Sequence, residues 1–344
     1  MCGVLVIFSK KKKLNKKKCL LSFDAIKNRG PDLWLSNYFL EDKLFIGNSV
    51  LKVTGKFETK KLASCENERF YISYNGEIYN YKSLKGLNNY LIKSTNDTSK
   101  LIKLHKYNSA FNIVKSLDGM FAYVVYDNKD KKLYFASDTQ GEKKLFKFED
   151  KNFLILSSNI SAILKFFVNN KLDIDSKQII NYLKTRHFLT IKNTIYKKIK
   201  LLSGAYLFTK DLRSGKFTKK RFQNPLDWID EEYYKKLKKN DEKENLVLLD
   251  NLLKKYSKLL KPAIKFGSVF TGGIDSSLQA SYFFKDKNLK KLVCIDHLKK
   301  DKITNNIKQF EKYTKKEIVK ISCNEKKYYS KLSTIYKSLC FPLP

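Results

Sequence analysis

A cysteine at position 2, directly behind Met1, is the residue of this chain with the plainest chemical potential. Removal of Met1 by an aminopeptidase leaves one residue carrying both a thiol and a free α-amine. The amine titrates at about 7.7–8.0 and the thiol at about 8.5. A base that is partly neutral at pH 7 is then tethered to a good nucleophile. A second run, Phe270-Thr271-Gly272-Gly273-Ile274-Asp275-Ser276-Ser277, follows an apolar strand-like segment and opens a helix-like one. Paired glycines let backbone approach a ligand closely, and N–H groups at a helix start cradle an anion. No Lys follows these glycines, so the loop is not of the Walker type. Taken singly, each feature has a bland reading, a buried hydrophobe for Cys2 and a helix cap for Asp275-Ser276-Ser277.

Other blocks accompany them: Arg29-Gly30-Pro31-Asp32, Asn75-Gly76-Glu77-Ile78-Tyr79-Asn80, Asp97-Thr98 and Leu117-Asp118-Gly119-Met120-Phe121-Ala122. In that order and at those spacings the chain resembles the glutamine-hydrolysing asparagine synthetase family, from Met1 to about Phe222 and again from about Leu246 to Pro344. The resemblance implies an α+β protein. An N-terminal-nucleophile hydrolase four-layer α/β/β/α sandwich is expected over residues 2–222, a class II glutamine amidotransferase domain. A linker over 223–245 leads to an incomplete parallel α/β domain of the ATP-pyrophosphatase type over 246–344.

For the glutaminase half, the resemblance implies Cys2 as nucleophile with its own α-amine as proton shuttle, and Asn75 with Gly76 as oxyanion hole. Asn75 is expected at a strand end, with Gly76 behind it. Glutamine contacts are expected from Val50, Leu51, Lys52, Val53, Asn75, Gly76, Glu77 and Asp97, the last two carboxylates receiving the substrate ammonium. Without the family, Asp97 reads as a helix N-cap ahead of Thr98. Three departures stand out. Val50 occupies the position of an Arg that grips the substrate carboxylate; residues 137–144 keep Asp138, Gly141 and Lys143 but lose two Arg and a Pro; and Asn159 replaces a Glu. Side chains two apart on a strand share a face, so Lys52 is expected to stand in for the missing Arg.

For the synthetase half, Thr271 replaces a Ser but keeps the hydroxyl. The resemblance implies ATP contacts from Phe270, Thr271, Gly272, Gly273, Asp275, Ser276 and Ile295, with Asp275 helping to hold Mg²⁺. Phe270 and Ile295, at the ends of neighbouring strands, are expected to meet the adenosine. Three strands can be placed after the linker, where this fold needs about five. The expectation is that this chain hydrolyses glutamine but does not complete asparagine without a separate synthetase half.

The elements that must position these residues follow from periodicity. Gly3–Phe8 reads as a buried strand, Cys19–Asn28 as a helix stopped by Gly30-Pro31, and Leu33–Leu40 with Lys43–Val50 as paired strands. Arg69–Tyr74 is a strand, Thr98–Lys106 and Ala110–Leu117 are helical, and Met120–Tyr126 with Lys132–Ala136 form a hairpin. Beyond the charged stretch, Leu246–Leu260 is helical. Strands near Gly267–Phe270, Leu292–Ile295 and Glu317–Ile321 then alternate with helices over Ser276–Phe284 and Ile303–Tyr313, the pattern of a parallel sheet.

Composition narrows the class. The formal charge of +36 suggests nucleic-acid binding, but only five of the 70 basic residues are Arg, the residue with bidentate phosphate and base geometry. A solvated Lys surface is the reading adopted, with no nucleic-acid and no membrane partner. Six scattered cysteines without CxxC spacing suit a reducing, cytoplasmic setting. The function read from the sequence is a glutamine-dependent amidotransferase. It passes ammonia from a Cys2 thioester to an acyl-adenylate, aspartate being the default acceptor and a carboxylated sugar an alternative. A glutaminase-only or inactive homologue and a non-catalytic Lys-rich binding protein are the rivals. A homodimer and a complementing synthetase chain both remain open as partners.

Overall fold

The computed structural model describes residues 1–54, 61–65, 67–85, 92–167, 172–185, 192–262, 264–296, 301–322 and 325–339. The chain divides into two compact units, one built on Met1–Trp228 and the other on Ile229–Ile335.

The first unit holds strands β1 (Gly3–Ser9), β2 (Leu33–Phe39), β3 (Leu44–Val50), β4 (Ser64–Cys65), β5 (Phe70–Ile78), β6 (Gly119–Asp127), β7 (Lys132–Ser137), β8 (Phe146–Glu149), β9 (Phe153–Ser157), β10 (Ile199–Leu201), β11 (Tyr206–Asp211) and β12 (Phe217–Arg221). Its helices are α1 (Lys16–Lys27), α2 (Asp97–Leu104), α3 (Ala110–Ser116), α4 (Ile160–Phe166) and α5 (Ser176–Thr185). Two six-stranded antiparallel sheets form, in the orders β10-β8-β9-β1-β3-β2 and β12-β11-β7-β6-β5-β4.

Side-chain parity builds the layers. On β1, Val4, Val6 and Phe8 pack with Tyr71, Val124, Tyr126 and Phe135 of the other sheet, while Leu5 and Ile7 pack outward with Phe23 and Ile26 of α1 and Ile163 of α4. On the far side, Ile72, Tyr74, Tyr123 and Val125 pack with Leu101 and Leu104 of α2 and Val114 of α3. The result is helix, sheet, sheet, helix. It also explains why β1 is apolar at nearly every position rather than alternating, because both of its faces are covered and all seven residues are buried.

Helix ends follow side-chain caps rather than apolar periodicity. Asn15 accepts from Lys18 N at 3.0 Å, so α1 begins at Lys16, ahead of the apolar stripe. The Asn96 carboxamide and the Ser99 hydroxyl form a reciprocal capping box on α2. Asn96, not Asp97, is therefore the N-cap, and Asp97 is the first residue inside the helix.

The second unit opens with α6 (Glu231–Lys239) and α7 (Glu242–Leu260). The charged stretch expected as a linker is thus helical in part, and Asp241 with Glu244 caps α7 four residues ahead of its apolar stripe. Then come β13 (Phe266–Val269), α8 (Ile274–Phe283), β14 (Leu289–Asp296), α9 (Asp301–Thr314), β15 (Ile318–Ser322) and α10 (Glu325–Leu339). The three strands form a parallel sheet in the order β13-β14-β15. Phe270, Phe283, Leu292, Ile307 and Ile318 form its small core. No helix among the described residues is long and apolar enough to cross a membrane.

Candidate active site

Cys2 immediately precedes β1 and continues the parity of Val4, Val6 and Phe8, so its thiol points into the layer between the two sheets. It is 8% exposed. Leu51 N–H donates to its Sγ at 3.3 Å, and the thiol in turn faces Leu51 O at 3.7 Å. Arg29 Nε donates to Cys2 O at 3.1 Å, which ties the RGPD motif to the nucleophile's own backbone. Burial pushes the Cys2 thiol up, and the Leu51 N–H and the positive amine of Met1 only partly offset this. The thiolate is therefore not preformed, and the thiol proton needs a base. Burial also lowers the Met1 amine. That amine is one residue away from the sulfur, and an amine on Cys2 itself arises only when Met1 is removed.

Asn75 and Gly76 face the same layer from the opposite sheet. They do not end a strand: β5 continues through them to Ile78, with Asn75 opposite Ala122 and Gly76 opposite Phe121. Pairing parity nevertheless frees the group that matters. Asp138 engages both main-chain groups of Phe121, its Oδ2 accepting from Phe121 N at 3.1 Å and its N–H donating to Phe121 O at 2.8 Å. Phe121 therefore spends its main-chain bonds on the β7 side, and Gly76 N–H is directed to the other edge of β5. On that edge Tyr74 N–H reaches Asn48 Oδ1 and Ile78 N–H reaches Asp97 Oδ2. Gly76 must be glycine for steric reasons, since a Cβ there would stand 2.2 Å from Met120 O. Asn75 is 1% exposed, and neither its Nδ2 nor its Oδ1 has a hydrogen-bond partner among the described residues.

A cavity of about 310 Å³ opens between these walls, lined by Cys2, Asn48, Val50, Leu51, Val53 and Thr54 on one side and by Tyr74, Gly76 and Asp97 from β5 and α2 on the other. Most of the expected glutamine contacts are thus brought together. Asp97 is 2% exposed and accepts from Tyr74 Oη (2.7 Å), Ile78 N (3.2 Å) and Thr98 N (2.8 Å). Burial raises its pKa against the pull of those three donors. Glu77 accepts from Thr54 Oγ1 at 3.3 Å, and its pKa too is raised, by burial first, with the Thr54 bond opposing and the charge of Asp97 adding to it. Both carboxyl groups are thus held above their ordinary range, and of the two Asp97 lines the cavity.

Lys52, Asn75 and Glu77 are not among the residues lining the cavity, and Lys52 departs furthest from expectation. Strand β3 ends at Val50, and beyond it Val53 N–H turns back to Leu51 O while Lys52 N–H bonds Asp32 Oδ2 at 2.7 Å. The strand parity that would aim Lys52 alongside Val50 is therefore broken. Lys52 is exposed and does not line the cavity. Among the other departures, Asn159 caps α4 by accepting from Ser161 N at 2.8 Å. Asp138 is buried and also accepts from Glu142 N and Lys143 N, a structural post for the loop after β7.

Two residues that sequence reasoning missed organise the site. Asn48 Nδ2 donates to both Gly3 O and Tyr74 O, each at 2.9 Å, joining the residue after Cys2 to the residue before Asn75. Tyr74, with its phenol pushed well up by burial and by Asp97, stays a proton donor to that carboxylate. The polar pair Asn48-Ser49 inside the fully buried β3 was the available signal.

In the second unit, Gly272 adopts φ +76°, a left-handed conformation suited to glycine. Thr271 N–H donates to Ser276 Oγ at 3.1 Å, and Asn306 Nδ2 donates to Gly272 O at 2.8 Å. Gly273 is the N-cap of α8 and supplies no side-chain cap, which leaves the N–H groups at the helix start open to an anion. Asp275 is exposed, and among the described residues no three His, Cys, Asp or Glu side chains converge on a metal position. Phe270 differs from expectation. Its side chain is fully buried against Phe310, with ring centroids 4.5 Å apart, so only its backbone can face a ligand. Ile295 lies in β14, and its side chain falls outside the described residues.

A family model for the glutamine amidotransferase domain matches residues 1–223. A Methanocaldococcus jannaschii protein assigned as glutamine-hydrolysing asparagine synthetase 2 is 27% identical over 319 residues, covering 85% of this chain and 58% of its own. The glutamine-hydrolysing asparagine synthetase of Bos taurus is 26% identical over 289 residues, covering 83% and 48%. This chain therefore spans about half the length of the curated relatives it matches. Among solved structures, the glutamine phosphoribosylpyrophosphate amidotransferase of Bacillus subtilis, complexed with ADP and GMP, aligns with a TM-score of 0.44 at 10% identity, covering 95% of this chain and 91% of that one. With a buried thiol at position 2, a glycine N–H on the far edge of β5, and a family match over residues 1–223, the chain belongs to the glutamine amidotransferase family related to the glutamine-hydrolysing asparagine synthetases.

Proposed function

We propose that this chain hydrolyses glutamine at Cys2 and delivers the ammonia to an activated carboxylate. The observation that carries the first half is the Asn75 carboxamide, buried without a hydrogen-bond partner among the described residues, on the face of β5 that Tyr71 and Ser73 turn toward the sheet behind Cys2. Leaving a buried polar group unpaired costs about 1–3 kcal/mol. A substrate oxygen that develops negative charge beside Cys2 gives that group its bond.

In the proposed reaction the free amine of Cys2 takes the thiol proton, through a water, as Sγ attacks the glutamine carboxamide carbon. The C–S bond forms, and the oxyanion is held by Gly76 N–H and Asn75 Nδ2. The protonated amine then gives its proton to the departing nitrogen, the C–N bond breaks, and ammonia leaves. Water, deprotonated by the same amine, cleaves the γ-glutamyl thioester to glutamate. Asp97 and Glu77 receive the substrate ammonium.

The second half of the proposal concerns residues 270–277. The uncapped start of α8 and the left-handed Gly272 fit the phosphates of ATP, with the hydroxyls of Thr271 and Ser276 beside them. Mg²⁺ on those phosphates would neutralise their charge, with Asp275 the nearest acidic residue of the loop. The acceptor carboxylate, aspartate by default, attacks ATP to give an acyl-adenylate and pyrophosphate, and ammonia displaces AMP. Cys2 and Cys19 are free thiols, in keeping with a cytoplasmic enzyme. The test is glutamate release from glutamine by the purified chain, abolished in Cys2→Ala. AMP formation with aspartate, ATP and Mg²⁺ is measured in parallel. Glutamate without AMP identifies a glutaminase only, and no glutamate overturns the reading.

A further inference from the structure

We propose that Lys61 and Lys103 hold the α-carboxylate of the substrate, making the cavity beside Cys2 selective for a zwitterionic amino acid amide rather than for amides in general; this rests on the glutaminase reading above. The cavity has one acidic member and two basic ones, Asp97 against Lys61 and Lys103. Val50, Leu51 and Val53 on the β3 side are apolar, so these two ammonium groups are the cations among the described lining residues.

Their placement suits a ligand with both charges on one carbon. Lys103 stands six residues after Asp97 on α2, a rise of about 9 Å. Helical side chains lean toward the N-terminus, so the long Lys103 stem runs back toward the end of the helix that carries Asp97. Six residues also turn the helix by about 600°, so the two side chains leave it about 120° apart, and it is in the cavity both line that an ammonium seated on Asp97 and a carboxylate met by Lys103 come together. Lys103 Nζ donates to Lys93 O at 3.0 Å, which fixes its direction, and among the described residues no other acceptor takes its remaining N–H donors. Lys61 reaches the same cavity from the segment that leads into β4. The apolar chain of the substrate then lies against Val50 and Leu51, and its amide reaches Cys2.

The experiment compares wild type with Lys61→Met, Lys103→Met and the double variant on three amides, reading ammonia release. Glutamine carries both charges, glutaramate only the carboxylate, and 4-aminobutanamide only the ammonium. In the double variant, kcat/KM is expected to fall roughly tenfold or more on glutamine and glutaramate, mainly through KM, and to stay within about twofold on 4-aminobutanamide. An equal fall on all three amides, or no fall on any, overturns the clamp while leaving glutamine hydrolysis in place. If Cys2-dependent ammonia release is absent from wild type, the hydrolytic reading fails instead, and calorimetric titration with glutamate decides the clamp. Weaker binding by the double variant supports it, whereas equal binding, or none by either protein, overturns it.

Discussion

The Asn48 carboxamide forms a two-point bond with the main chain of Tyr74, its Nδ2 donating to Tyr74 O at 2.9 Å and its Oδ1 accepting from Tyr74 N at 3.3 Å. The same Nδ2 reaches Gly3 O at 2.9 Å. One side chain in β3 therefore sets the strand that follows Cys2 against the strand that carries Asn75 and Gly76. Ser73 Oγ reinforces the tie by donating to Gly47 O at 2.7 Å. These cross-sheet bonds set the spacing between Cys2 and the proposed oxyanion donors Asn75 and Gly76.

Asn48→Leu keeps the volume but leaves the Tyr74 N–H and C=O unpaired in a buried layer. A loss of about 2–4 kcal/mol of stability is expected. A fall of at least about tenfold in kcat should accompany it, because small displacements at a reacting centre are expensive. Urea unfolding and glutamate release check the two parts. A fully active variant would show that the strap does not position the site.

Asn75→Ala separates catalysis from stability. Removing one oxyanion donor is expected to lower kcat by about a hundred- to a thousandfold. Because the carboxamide is buried without a partner among the described residues, its removal should leave the melting temperature unchanged or raised. A large drop in melting temperature would mean that the carboxamide has a structural partner after all.

The amine mechanism requires Cys2 to be the first residue of the active form. Intact-mass measurement should find active protein lacking Met1, and only that form should be labelled by a glutamine-like electrophile. Full activity in protein that retains Met1 would rule out the Cys2 amine as the base.

Glutamine binding should weaken as pH falls through the weakly acidic range. Asp97 and Glu77 have raised pKa values, so they gain protons at higher pH than ordinary carboxyls and then no longer attract an ammonium. Binding should accordingly release protons, detectable as buffer-dependent heats in calorimetry. Asp97→Asn should abolish most of that dependence and raise KM by about tenfold or more.

His105 supplies a pH effect remote from the cavity. It is buried behind the second sheet near Phe70 and Tyr134, and burial lowers its pKa from 6.5 to about 4, with Asp127 opposing. A base depressed in the folded state takes its proton first when unfolded. Stability from this group is full above about pH 6.5 and declines as pH falls toward 4, by up to about 3 kcal/mol. His105→Phe should flatten that part of the stability profile measured by urea unfolding.

Much of the site could be read from residue types and spacing. Cys2 behind Met1, the Asn75-Gly76 pair, Asp97 and the glycine turn before α8 announce their chemistry locally, and the apolar run of β1 marks a strand covered on both faces. Local pattern could not show that β5 runs straight through Asn75 and Gly76, because whether Gly76 N–H is free depends on which edge Phe121 offers to Asp138. It misplaced Lys52, since the period-two rule holds only while the strand lasts and β3 stops at Val50. It passed over Asn48, whose partners lie 45 and 26 residues away in sequence. The sequence by itself determined which groups can react and which segments become strands. Only the packing of one sheet on the other decided which of those groups meet, because bonds between sheets follow strand order and register, and neither is encoded in the periodicity of any single strand.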